Sequence, residues 1–255
     1  MLLAIDIGNT NVSLGVFDGE NLIACWRMKS DGARTADEYG VSLRGMFAAA
    51  AVDYKKIRSI IVASVVPPLD AAFREMSEKY FNHAAIFVGG KTDFGFPIKY
   101  ETPSSVGADR VVAAFAARTR YGAPCVVVDF GTATNFEAVN SKGEYLGGVI
   151  APGVKVLTNS LFSKAAKLPF VEIKKPASVI GTTTAGSIES GIYYGYAGLV
   201  DGILRRMIDE LGEKSVRVVA TGGLASLIAP ASEFIETIDA DLILEGLRLV
   251  YKKIR

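Results

Sequence analysis

Two stretches of the chain carry the same short pattern, and that repetition limits the available folds more than any other feature. Residues 2–11 read Leu-Leu-Ala-Ile-Asp6-Ile7-Gly8-Asn9-Thr10-Asn11, and residues 125–135 read Cys-Val-Val-Val-Asp129-Phe130-Gly131-Thr132-Ala133-Thr134-Asn135. Neither apolar run has a polar face, as in a strand covered on both sides, so each carboxylate falls at a strand's mouth. The Gly two positions on lets the backbone turn, and the small hydroxyl and amide side chains beside it join free backbone N–H groups in an arrangement suited to phosphate. An ordinary turn between strands accommodates either copy alone. Two copies at matched positions favour phosphate chemistry. The likeness continues downstream, where residues 12–17, Asp18-Gly19 and Asn21-Leu22 match residues 136–140, Lys142-Gly143 and Tyr145-Leu146, so each half opens with a β-hairpin.

A chain of 255 residues, half of them hydrophobic, can build two related halves of ordinary size. Its net charge of +1 is spread throughout, which argues against a nucleic-acid groove or a membrane surface and makes any anion site local. The two cysteines, Cys25 and Cys125, have no CxxC spacing and lie in apolar runs, so both are expected in the core as thiols. The chain enters a strand at once without a basic start, and no later run is long enough to cross a bilayer, so a cytoplasmic protein is expected.

The rest of the pattern alternates strands and helices. Thr35 and Glu38 form a capping box before an apolar repeat at Tyr39, Leu43, Met46 and Phe47. A strand over 57–63, a helix from Pro67-Pro68 and a short strand over 85–88 follow. Residues 89–106 are rich in Gly, Pro, Thr and Ser and deliver the chain into a helix from about Gly107 to Tyr121. Later come a helix after Pro152-Gly153, a loop or edge strand over 168–176, a long glycine-interrupted helical stretch over 182–211, a strand over 216–220 ending in Thr221-Gly222-Gly223, and an amphipathic helix over 241–254. The fold class is α/β, with a mixed sheet in each half. The halves divide as 1–115 and 116–255, with a cleft expected between them.

Gly90-Lys91-Thr92 has the tail of a phosphate-binding P-loop, but the first Gly of that motif would fall at Ala85, inside a strand. No dinucleotide fingerprint is present. Gly222-Gly223 supplies a third strand-to-helix loop with room for a flat ring. Asp109-Arg110 pairs a carboxylate with a planar cationic fork, although an acid in a helix's first turn is also favoured by the dipole alone. Asp6 and Asp129 could each hold a cation or accept bonds from their own turn.

Two Asp-x-Gly hairpins with a distal Gly-Gly loop resemble the actin, sugar-kinase and Hsp70-type ATPase superfamily, which binds ATP between two ribonuclease-H-like halves. The match is closer within it. Asp6-Ile-Gly-Asn-Thr-Asn11, Gly107-Ala-Asp-Arg110, Asp129-Phe-Gly-Thr-Ala-Thr134, Gly147-Gly148 and Ala151-Pro152-Gly153 together resemble type III pantothenate kinase over essentially the whole chain. The resemblance implies transfer of the γ-phosphoryl group of ATP to pantothenate, the first step toward coenzyme A. It places Asp6, Ile7, Gly8, Asn9, Thr10, Asn11, Val12 and Ser13 along the ATP phosphates, with Thr132 from the other half and Gly222 and Gly223 toward the adenosine end. It assigns Asp109 as catalytic base, and Tyr100, Gly107, Ala108, Arg110 and Thr184 to the pantothenate pocket, with Thr184 reaching it from the partner of a homodimer. Asp6 would serve Mg²⁺ through water, and Asp129 a monovalent cation, K⁺ or NH₄⁺.

The chain departs from the family pattern at Asn135, where Thr is frequent, and at Thr102-Pro103-Ser104-Ser105, where Asn-Pro is more usual. Another kinase of the superfamily, or an ATP-binding regulator without catalysis, are the competing expectations.

Overall fold

A computed structural model describes residues 1–165 and 168–255. In chain order the elements are β1 (Leu2–Ile7), β2 (Asn11–Asp18), β3 (Asn21–Lys29), α1 (Ala36–Ala49), β4 (Ser59–Ser64), α2 (Pro67–Phe81), β5 (Ala85–Val88), α3 (Ala108–Tyr121), β6 (Cys125–Phe130), β7 (Ala133–Val139), β8 (Tyr145–Pro152), α4 (Val154–Lys164), α5 (Thr184–Leu211), β9 (Arg217–Thr221), α6 (Ala225–Ile228), β10 (Thr237–Ile238) and α7 (Leu242–Ile254).

The first unit holds a five-stranded sheet in the order β3-β2-β1-β4-β5. Its β1–β2 and β2–β3 pairs are antiparallel, and its β1–β4 and β4–β5 pairs are parallel. Leu3, Ile5 and Ile7 of β1 are fully buried beside Tyr39, Leu43 and Phe47 of α1 and Phe73 and Met76 of α2. The Thr35–Glu38 capping box forms as the sequence predicts: Thr35 Oγ1 accepts from Glu38 N at 3.3 Å, and Thr35 N donates to Glu38 Oε2 at 2.8 Å. This fixes where α1 begins.

The second unit repeats the plan. Its sheet runs β8-β7-β6-β9-β10, with the same antiparallel hairpins and parallel pairs in the same places. The duplication extends to an irregularity. Val16, which pairs with Leu3 three residues before Asp6, precedes a register shift between β2 and β3. Ala138, which pairs with Val126 three residues before Asp129, precedes the same shift between β7 and β8. The residues left over, Ile23 and Leu146, are both exposed, as extra residues of a bulge are. The pairing equates Phe17 with Val139 and Leu22 with Tyr145, one residue away from the sequence match, because the first Asp-x-Gly loop is one residue longer.

The compact units are Met1–Phe96 with Tyr100–Ala116 and Leu242–Arg255, and Pro97–Lys99 with Ala117–Asp241. Besides Ala116, which falls in the first unit, they differ from a simple division at residues 115 and 116 in two places. Helix α7 packs on β1, β2 and β4 of the first unit through an apolar stripe of Leu242, Leu244, Leu247 and Val250. Residues 97–99 lie along β8 of the second, where Lys99 N donates to Tyr145 O at 2.8 Å and Tyr145 N to Pro97 O at 2.9 Å.

Two local expectations change, and at residues 168–176 the loop alternative holds. The helical stretch from residue 182 is one unbroken helix, α5, despite its glycines. Residues 168–176 form no strand. Cys125 is buried, but Cys25 is exposed, because its edge strand β3 turns alternate residues to solvent. No helix among the described residues is long and apolar enough to cross a membrane.

Candidate active site

In the first unit, Asp6 stands at the end of β1, between Ser13 of β2 and Ala63 of β4. Gly8 N donates to Asn11 O at 3.0 Å and closes the turn, leaving Asn9, Thr10 and Asn11 exposed. Ile7 and Val12 are fully buried, so of these two residues only the main chain can face a ligand. Sequence reasoning passed over Ser30, which steadies the loop: its Oγ donates to Gly8 O at 2.5 Å and its N–H to Thr10 O at 3.0 Å. A serine at the end of an edge strand carries no signal until β3 is known to pair beside the loop.

Asp109 occupies the first turn of α3, where the helix dipole and the amide of Arg110, 2.8 Å from its Oδ1, favour its charge. Burial outweighs these and pushes the carboxyl up from its ordinary value, against the lowering by the Arg110 amide and charge. The sequence suggests an acid of ordinary strength, but the structure makes Asp109 a stronger proton acceptor. Gly107 makes its placement possible, since a Cβ there would lie 2.7 Å from Asp109 Oδ1. Ala108 and Arg110 are buried, and Tyr100 is exposed on the segment leading to the turn at Pro103–Ser105. Gly90 belongs to that support and not to a P-loop, for a Cβ on it would meet Pro103 O at 2.7 Å.

In the second unit, Asp129 ends β6 between Asn135 and Thr221. The loop turns where Gly131 N donates to Ala133 O at 3.1 Å, and Thr132 is exposed at its tip. The third loop comes directly onto this one. Gly222 has φ +93°, and a Cβ there would lie 2.4 Å from Asp129 Oδ1 and 2.7 Å from Phe130 O. Two motifs ninety residues apart thus meet at one carboxylate, with Gly223 exposed beside them. Oxygen atoms crowded in this way are the donors that hard cations prefer. Thr184 is the exposed first residue of α5, whose N-cap Thr183 accepts from Gly186 N at 3.0 Å. Among the described residues no three His, Cys, Asp or Glu side chains gather at one point, so a divalent ion here would keep much of its coordination in water and phosphate.

The sequence profile of the family described as type III pantothenate kinase matches residues 2–206. The chain belongs to that family. Relatives described as type III pantothenate kinase include one from Myxococcus xanthus, 51% identical over 98% of this chain and 98% of its own, and one from Geobacter sulfurreducens, 49% identical over the whole of both. Gly222 and Gly223 lie beyond the profile but within these full-length matches. Solved structures share the fold at low identity. A Campylobacter jejuni protein described as a conserved putative Baf family transcriptional activator has a TM-score of 0.61 at 19% identity, covering 99% of this chain and 98% of its own. The ROK hexokinase of Thermus thermophilus has a TM-score of 0.53 at 15% identity, covering 100% and 99%. Each half thus has a ribonuclease-H-like fold, which these solved structures share. The chain is a kinase of the pantothenate kinase family.

Proposed function

We propose that the chain phosphorylates pantothenate to 4'-phosphopantothenate at the expense of ATP, with Asp109 as the catalytic base. The observation that carries this reading is a family match that spans Asp6–Ser13, Gly107–Arg110 and Asp129–Thr134 together. The primary hydroxyl of pantothenate attacks the γ-phosphorus, the new O–P bond forms as the bond to ADP breaks, and Asp109 takes the hydroxyl proton. A loose transition state asks most of positioning and of charge stabilisation, and the base acts late. The raised proton affinity of Asp109 suits that role, since an acceptor with a pKa nearer the working pH transfers protons more effectively.

The exposed Asn9, Thr10 and Asn11, with the half-buried Gly8 and Ser13, serve the phosphates, Thr132 supplies a hydroxyl to them, and Gly222 and Gly223 serve the adenosine end. Arg110 pairs with the substrate carboxylate, with Tyr100, Gly107 and Ala108 lining the pocket and Thr184 reaching it from the partner of a homodimer; a buried guanidinium discriminates an acid from a neutral polyol better than an exposed one. Mg²⁺ would be served by Asp6 through water, and K⁺ or NH₄⁺ by Asp129; both ions offset phosphate charge. The protein acts as a homodimer through α4 and α5. That reading is supported by a cavity of about 400 Å³ between the two helices, lined by Leu157, Leu161, Ile188 and Ile192, with Leu157, Leu161 and Phe170 of the same unit exposed.

A coupled ADP-release assay with ATP, Mg²⁺ and pantothenate, with and without K⁺, tests the reading. Pantothenate-dependent turnover is expected, reduced about 10²–10⁴-fold in Asp109→Asn. ATP binding by a folded protein without pantothenate-dependent turnover would overturn it.

A further inference from the structure

The phosphate loop of the second unit is held from behind by a hydrogen-bonded chain to which neither the motifs nor the reading above gives a role. Tyr196 lies on α5, twelve residues after Thr184, and is only 4% exposed. Its hydroxyl is 2.6 Å from Thr134 Oγ1 and donates to the carbonyl of Pro152 at 3.0 Å. Thr134 is fully buried at the start of β7, two residues after Thr132. With the phenol proton on Pro152 O, Thr134 donates to the phenol oxygen, so each hydroxyl has one defined direction. Burial raises the Tyr196 phenol, and it remains a donor at any working pH.

The consequence lies in a single peptide group. The carbonyl that Tyr196 grips and the N–H of Gly153 belong to the same planar unit and point opposite ways. That N–H donates to Thr132 O at 3.1 Å. The contact is close, for a Cβ on Gly153 would lie 2.3 Å from Thr132 O and 2.7 Å from Gly131 O. The plane of this peptide therefore sets the position of the Gly131–Thr132 turn, and one end of the plane is fixed by a side chain from a different element.

We propose that Tyr196 is a positioning residue for phosphoryl transfer: through Thr134 and the Pro152–Gly153 peptide it orients Thr132 of the phosphate loop. This deepens the reading of Thr132 as an ATP contact and rests on it. The ring of Tyr196 is held by the core of its own unit, with Tyr193 and Val200 beside it on α5, so Tyr196→Phe keeps the packing and removes only the hydroxyl.

The test is steady-state kinetics and thermal unfolding of Tyr196→Phe, Thr134→Val, their double variant, Thr134→Ser and Thr132→Ala in the full chain. Tyr196→Phe is expected to lower kcat/KM for ATP about tenfold, while KM for pantothenate stays within about twofold, since a displaced loop affects the phosphate side alone. Thr134→Val should act in the same direction, and the double variant should be no worse than the weaker single one because the two hydroxyls form one chain. Thr134→Ser, which keeps the hydroxyl, should restore wild-type kinetics. Loss of melting temperature with unchanged kinetics in Tyr196→Phe, beside a clear kinetic loss in Thr132→Ala, would overturn the positioning role alone. Unchanged kinetics in Thr132→Ala would overturn the phosphate role of Thr132 and the inference together.

Discussion

At the scale of single residues, the site depends on side chains held where their charge is costly. Burial raises the carboxyl of Asp109, so between the ordinary carboxylate value of about 3.9 and the raised one the folded chain binds more protons than the unfolded chain. Stability therefore falls as pH rises through that window, and the full cost is present above it. Asp109→Asn keeps an oxygen to accept from Arg110 N–H and removes the cost. The variant is expected to melt above wild type at neutral pH, with the gap closing as pH drops through the window, while the wild-type rate falls over the same range as the base becomes protonated. Melting curves and kcat/KM across pH check both, and a gap that does not change with pH would refute the account. The place of Asp109 in the first turn of a helix was legible in the sequence, but its raised proton affinity was not. That depends on how tightly the chain packs around the first turn of α3, including the contact that Gly107 allows, and no spacing pattern encodes it.

At the scale of elements, the hairpins, α1 with its capping box and α7 were legible because each has a strong periodicity or a local cap. Strand β10 was missed: at two residues, Thr237 and Ile238, it exists only because β9 offers an edge. Helix α5 serves two faces: Tyr193, Tyr196 and Val200 are buried in the core of their own unit, while Ile188, Ile192 and Leu199, with Tyr196, line the groove against α4. Counting apolar residues overstates a free face when a helix of 28 residues must first cover its own sheet. Leu157 and Leu161 are each 41% exposed on α4, so Leu157→Asp with Leu161→Asp should fold normally. If α4 and α5 form the dimer face, the pair should raise the dissociation constant at least about tenfold in sedimentation equilibrium, as buried charges at an interface centre do. A dimer as tight as wild type would place the interface elsewhere.

At the scale of the whole molecule, one plan used twice has diverged where its two carboxylates meet their neighbours. The units share strand order, pairing sense and a bulge three residues before each Asp, so duplication alone predicts equal surroundings for Asp6 and Asp129. The residue after the parallel partner breaks the equality. Asp6 pairs with Ala63, which is followed by Ser64, whereas Asp129 pairs with Thr221, which is followed by Gly222. Only a glycine admits the third loop onto the carboxylate, with Asp129 Oδ1 2.4 Å from where a Cβ would stand. Ser64 instead uses its Oγ to accept from Val66 N at 3.2 Å and shapes the entry to α2. On the reading proposed above, this crowded oxygen environment is what fits Asp129 to a monovalent cation, while Asp6, whose parallel partner is followed by Ser64, is left to serve Mg²⁺ through water. The two substitutions should therefore separate two ion dependences. Asp129→Asn is expected to raise the K⁺ concentration for half-activation about tenfold at saturating Mg²⁺, by removing the full negative charge of that carboxylate. Asp6→Asn should do the same for Mg²⁺ at saturating K⁺. Titrating each ion against both variants decides the point: crossed effects would exchange the two assignments, and equal effects would mean that the duplicated loops never divided their work.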